Sequence, residues 1–347
     1  MQNETQALLA KLEADTATQY GATNVAKTFS VTPEKAQKIV ASTKEEVSFL
    51  DRINVTTVTE QQGQVLGLNA TGLIAKRTNT AAEDRSPREV HSIGENDYLC
   101  SKVEFDTAIR YATLDAWARK PNFRSLVQQQ TRRQIALNQI MIGFHGESVA
   151  AVTDPTANPQ GQDVAEGWLK KLALRNVAQY MTEGDTANEI RIGEGGDFTN
   201  LDVAVASVAS MIPAEFRGSG DLIAIIGSEL LSNEKVKFYD ANGNTPTEKS
   251  RIEDKQVIGT YGGLPAFEIP HFPARGILVT SFDNLSIYIQ DTSIRRQMID
   301  NPRRDQYENF YSMNLDYVLE ELGKAAAVHA ANVKLPDLDV NGNPIWS

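Results

Sequence analysis

The residues that could do chemistry in this 347-residue chain are few and poorly placed for it. Zinc sites need His and Cys ligands at close, helical or turn spacing. His91, His145, His271 and His329 are scattered, with no His-x-x-x-His pair and no His-Glu motif. A phosphate cradle needs a Walker loop or Gly-x-Gly-x-x-Gly after a strand; GEGG (193–196) and GTYGG (259–263) match neither and read as turns. FRGSGD (216–221) comes nearest to a Gly-x-Ser-x-Gly nucleophile elbow, but its Ser219 falls in a loop ahead of a strand. DLDVNGNP (337–344) opens like a calcium loop with Asp337, Asp339, Asn341 and Gly342. Its twelfth position, where the bidentate Glu belongs, falls beyond the sequence. Cys100 sits in a strand pattern and reads as packing. The pairs Glu45–Glu46 and Glu320–Glu321 fall at element ends and suggest no acid/base dyad. Arg132–Arg133, Arg295–Arg296 and Arg303–Arg304 read as solvated faces or as salt bridges across a subunit contact. The expectation is a protein that is not an enzyme and takes no cofactor or metal.

Composition narrows the classes further. A net charge of −11 argues against a general nucleic-acid-binding surface, although an acidic protein can enclose DNA without gripping it. No apolar run approaches the ~18 residues of a membrane span, and MQNETQALLAKLEADTA has neither the basic start nor the apolar block of a signal peptide. One cysteine excludes an internal disulfide framework and fits a reducing compartment.

The elements that would position these residues are more telling. Pro121–Gly146 predicts a helix, with Pro121 at its first turn, a stripe through Phe123, Leu126, Val127, Ile135, Ile140, Met141 and Phe144, and Gly143 and Gly146 as the stop. Such a helix is roughly 35 Å long at 1.5 Å per residue, a spine for other elements. Residues 5–18 form a short amphipathic helix with Leu8, Leu9 and Leu12 on one side, and a second helix runs from Thr32 to about Leu50. The first thirty residues read either as a frayed end or as a detachable segment. Residues 64–77 and 97–111 predict the legs of a long hairpin, with Val103, Phe105 and Ile109 on one face and the polar stretch 78–96 as a mobile tip. A leg of about 13 residues reaches roughly 43 Å, an arm suited to a neighbouring subunit. Residues 163–181 read as helical, as do 199–212, with a Thr199–Asp202 capping box, and 229–238. Strands are expected at 222–226, 264–269 and 277–280. A second long hairpin joins 285–290 to 307–319 through the turn 300–305, and 331–347 reads as a polar tail.

Several strings carry a resemblance. FLDRINVTTVTEQQGQVLGL (49–68), RYATLDAWAR (110–119), QDVAEGWL (162–169), IRIGEGGDF (190–198), DNLSIYIQD (283–291), RRQMIDNP (295–302) and YENFYSMNLDYVLEEL (307–322) resemble, in the same order, the major capsid proteins of P2-like tailed bacteriophages. The resemblance spans about 25–325 and implies an α+β chain with the HK97-like shell fold. It implies an N-terminal arm at 30–58, after a presegment read at 1–29, and an E-loop hairpin at 59–112. A P domain would hold 113–198 with the spine helix, followed by an A domain at 199–284 and the P-domain return at 285–330; the tail read at 331–347 lies beyond the resemblance.

The implied function is self-assembly into pentamers and hexamers that form the icosahedral head around phage dsDNA, held without sequence-specific binding. Partners would be the chain itself, the phage scaffold and protease, and the portal, with no membrane. Localisation would be the virion, after assembly in the host cytoplasm. Val103, Phe105, Ile109, Arg132, Arg133, Arg295 and Arg296 are the expected intersubunit contacts. The family is commonly trimmed at the N-terminus, and VAKTFSV (25–31), beside Phe29, is the expected cut. The competing readings are a bacterial nanocompartment shell on the same fold and a soluble α+β enzyme with an unrecognised site.

Overall fold

The computed structural model describes residues 3–65, 68–70, 75, 77–78, 91–93, 96–117, 123–234, 259–338 and 344–346. At its centre lies the strand Gln306–Leu319, whose apolar residues alternate as a period of two requires. Along one side it pairs antiparallel with Leu285–Gln290 and then Arg295–Asn301, which a 3-10 turn at Asp291–Ser293 separates. Its other side takes Ser101–Glu104 and Thr107–Arg110. Asn54–Val58, parallel to Leu285–Gln290, and Phe29–Ser30, beside Arg295–Asn301, complete a seven-stranded sheet. The expected second hairpin is therefore present, with one leg broken in two.

The spine helix is Phe123–His145. Its second half does most of the burying, through Ile135, Ala136, Ile140, Ile142 and Phe144, while Leu126 in the first half stays 38% exposed. Gly143 does not end the helix. A Cβ there would come within 2.4 Å of the Trp168 ring, so the glycine lets the helix Trp168–Arg175 approach. Trp168 stacks edge-on to Tyr317 and donates to the Ser286 carbonyl at 3.0 Å, which locks this helix to the sheet. The helix expected over 163–181 is confined to these eight residues. The backbone at Gly167 lies against Gly143, a contact that no local periodicity announces.

A second, six-stranded sheet runs Thr260–Tyr261, Leu264–Phe267, Ile223–Ile226, Ile277–Thr280, Ala326–Val328 and Tyr180–Met181. Ile223–Ile226 and Ile277–Thr280 are buried on both faces and read as continuous apolar runs for that reason. Ala224, Ile226, Ile277 and Val279 face the helix Leu201–Met211, capped by Asn200 rather than Thr199. Ile223, Ile225, Leu278 and Ala327 join the main core with the spine helix and the first sheet. The second sheet is thus a wall common to two cores.

Four expectations change. Met181, Ile190, Ile192, Ala326, Val328, Val333 and Leu335, expected with the first sheet or the tail, pack in the second core, while Tyr180 and Ala327 on the same strands turn to the main core. The tail itself folds back: Val333–Lys334 pairs parallel with Ile190–Arg191, and Pro336–Leu338 pairs with Pro344–Trp346. The helix Asn3–Tyr20 is not frayed. Leu9 and Leu12 pack with Leu114, Met298 and Tyr307 in a satellite cluster. The helix from Pro33 ends at Lys44, and a short turn precedes Ser48–Arg52.

Candidate assembly interface

The two legs of the hairpin arm pair, but the described pairs lie within 62–70 and 91–99 rather than 64–77 and 97–111. Gln62–Gln64 pairs with Asp97–Leu99, and Leu68–Ala70 with His91–Ile93. Beyond Cys100 the second leg leaves its partner and enters the seven-stranded sheet, so 101–110 is sheet rather than arm. Most of 78–96, the expected mobile tip, lies outside the described residues.

The arm's root is fastened from below. Asp316, on the long strand, takes the Lys171 ammonium on Oδ1 at 2.6 Å and the Leu99 backbone N–H on Oδ2 at 3.0 Å. Both side chains of this ion pair are almost wholly buried. Burial lowers the Lys171 pKa, and the Asp316 carboxylate opposes that shift. Arg175, one helical turn on, bonds Asp97 twice at 2.9 Å, through its carboxylate and its backbone carbonyl, and also reaches Asn96. Asn96 in turn donates to the Leu319 carbonyl. Beneath the root, Cys100 packs with Val65, Tyr98 and Val318, as its strand position predicts. Desolvation pushes its thiol up to about 12, which makes it a packing group rather than a nucleophile.

The expected contact residues separate into two groups. Val103 and Phe105 are buried in this chain's own main core. A neighbour could not reach them without opening that core, so the expected intersubunit role gives way to an internal one. Arg132 pairs with Glu46 at 3.1 Å, and Arg296 lies over the Tyr20 ring at 4.7 Å while donating to Asn309. Arg133 and Arg295 are exposed. Ile109 is half-buried on the wall of an open groove of about 480 Å³, with Val127 and Thr131 across from it. Phe29 forms a two-residue strand against Arg295–Arg296 and stacks edge-on with Tyr20.

Among the described residues no three His, Cys, Asp or Glu side chains gather as a metal site, and no helix is long and apolar enough to cross a membrane. Residues 339–343 of the calcium-like string lie outside the described residues. Two of the histidines are tied into the fold. The His145 ring nitrogen Nε2 meets the His271 carbonyl at 2.8 Å, and His329 meets the Tyr180 hydroxyl at 3.0 Å.

An arm rooted on a β-sheet, a spine helix across that sheet and a second sheet sharing the core make up the architecture. The family model "Phage major capsid protein, P2 family" matches residues 8–331. This chain belongs to that family. The capsid protein of Escherichia phage P2 is 37% identical over 321 residues, 89% of each chain. The major capsid protein of Serratia phage KSP20 is 33% identical, covering 90% of this chain and 92% of its own. Among solved structures, a chain of the satellite phage P4 procapsid that includes the size determination (Sid) protein superposes with a TM-score of 0.70. It is 36% identical and covers 86% of this chain and 99% of its own. The fold is HK97-like, the chain is a major capsid protein, and its place is the virion.

Proposed function

We propose that this capsid subunit closes with copies of itself, as pentamers and hexamers, into the shell that holds phage dsDNA. The carrying observation is the match to a procapsid chain over nearly that chain's whole length, at 36% identity. In this reading the first sheet and the spine helix form the P domain. The second sheet and its helix form the A domain, with 180–192 and 326–335 added to it. The E-loop is 59–99. Arg133 and Arg295, the two exposed arginines of the expected set, offer cations to neighbours that carry the same acidic balance. A net charge of −11 per chain lets packaged DNA move past the wall without adhering. The chain has no catalytic task, assembles in the host cytoplasm, and works with a scaffold, a protease and a portal.

Electron microscopy of the expressed chain, alone and with its phage's scaffold, tests the reading. Shells, tubes or capsomers are expected, whereas a small discrete oligomer under both conditions sinks it. Removal of the first 29 or so residues is a separate part of the proposal. Leu9 and Leu12 of the helix Asn3–Tyr20 pack in the satellite cluster, and Tyr20 reaches the main core. Intact-mass measurement on mature heads should find a chain starting near Phe29; one that keeps Gln2 refutes the cut and leaves the shell reading intact.

A further inference from the structure

Between the spine helix and Trp168 the chain makes an excursion, 146–167, that has no helix or strand yet is tightly tied. The Glu147 and Ser148 N–H groups both donate to the Gln162 carbonyl, at 2.7 and 3.0 Å, and Ala150 donates to the Asp163 carbonyl at 2.9 Å. The Asp163 carboxylate accepts from the Asp154 N–H at 2.7 Å and from the Asn158 amide at 3.1 Å. Asp154 accepts the Thr156 and Ala157 N–H groups. The loop's two ends meet backbone to backbone, Gly167 N–H on the Gly146 carbonyl at 3.0 Å.

This well-fixed loop holds its apolar side chains in water. Val152 is 88% exposed and Val149 54%. Lys170 pairs with Glu147 at 2.9 Å, tying the loop to the helix that carries Leu174, 58% exposed, one turn further on the same face. Val177 follows at 69%. Four of the nine exposed large apolar side chains among the described residues therefore fall in this one stretch. Isolated surface valines are ordinary. A concentration of them on a pre-ordered loop marks a contact, because a loop that is already fixed loses little entropy on docking.

We infer that the 147–154 loop, with Val149 and Val152 at its front, is a contact made with a second copy of this chain. The inference rests on the shell reading, which makes copies of this chain the subunit's neighbours. Charge favours the same occupant. Copies at −11 each repel through most of their surface. Residues 148–153, SVAAVT, carry no ionisable side chain, Glu147 is neutralised by Lys170, the Asp163 carboxylate is turned inward on the Asp154 N–H and the Asn158 amide, and Asp154, at the far end of the loop, accepts the Thr156 and Ala157 N–H groups. Two copies can meet at Val149 and Val152 with less like-charge repulsion than elsewhere on their surface.

The test is a protection measurement on the full chain carrying V152C. Cys100 is the only native cysteine and is wholly buried, so the introduced thiol is the one that reacts. A maleimide should label it fast in dissociated subunits and about tenfold or more slowly in assembled particles. Equal rates in both states overturn the contact while leaving the shell reading standing. A thiol that stays open in shells of this chain alone, but closes on particles carrying another protein, overturns the choice of occupant. If the unmodified chain with its scaffold forms no particles, the shell reading fails and the contact fails with it. As a second arm, V149D/V152D should melt like the unmodified subunit and yield markedly fewer shells; an unchanged shell yield overturns the inference.

Discussion

Asp316 is bonded on both carboxylate oxygens, one to a buried lysine and one to the backbone of the arm's root. Removing one partner leaves the other charge in the core unpaired, which costs about 3–5 kcal/mol. K171M should therefore lower subunit stability by that order in urea unfolding. The double variant K171M/D316L should recover part of it, since apolar replacement of the whole pair is often neutral; recovery of nothing would mean that the Leu99 N–H bond matters more than the ion pair. His145 gives a pH dependence. Desolvation holds its pKa below the ordinary 6.5, so the unfolded chain binds this proton more readily than the folded one. Its effect on stability is absent above pH 6.5. Stability falls as the pH drops through 6.5 towards the lower folded value. Melting curves from pH 7.5 to 5 should show this slope, and H145Q should flatten it while keeping a donor for the His271 carbonyl.

At the scale of elements, the spine helix carries the main core on its second half. Leu137→Pro removes a helical hydrogen bond and adds a clash inside that half, for roughly 3 kcal/mol or more. Insoluble protein is expected in expression trials; a soluble, cooperatively melting variant would show that the core does not need the helix. Gly143→Ala places a methyl against Trp168 and should cost about 1–3 kcal/mol through overpacking, read by thermal melting. The spine helix and the strand 306–319 were legible because their periods persist over many residues. The split of the arm at Cys100 was not. Val103, Phe105 and Ile109 alternate in the same way whether the partner strand is 62–70 or 306–315, and alternation names a buried face without naming its neighbour. The Lys171–Asp316 pair was equally hidden, because its members lie 145 positions apart and neither sits in a motif. The return of 333–335 was missed for a related reason: Val333 and Leu335 are too few to show a pattern, and only a parallel pairing with 190–191 recruits them.

At the scale of the molecule, residues 3–28 sit over Leu114, Met298 and Tyr307, and the Val25 carbonyl accepts the Met298 N–H at 2.8 Å. A chain lacking them should still unfold in one cooperative step, at a lower temperature, and should bind an apolar dye such as ANS more strongly at the uncovered patch. Loss of cooperativity in calorimetry would instead make the segment integral to the main core. The family and the shell fold were legible from long strings distributed along the chain. The allocation of segments between the two cores was not, since it depends on which face of a shared sheet each side chain occupies.

That shared sheet has a mechanical consequence. Ile225 and Ile226 are neighbours on one strand, yet they belong to different cores, so neither core has a seam along which it could be peeled from the other. A push on the helix Leu201–Met211 passes to Trp168 and the spine helix through close-packed side chains on both faces of one wall. The subunit should therefore respond to load as a single stiff plate, with bending confined to the parts that leave the plate, the arm root at Cys100 foremost.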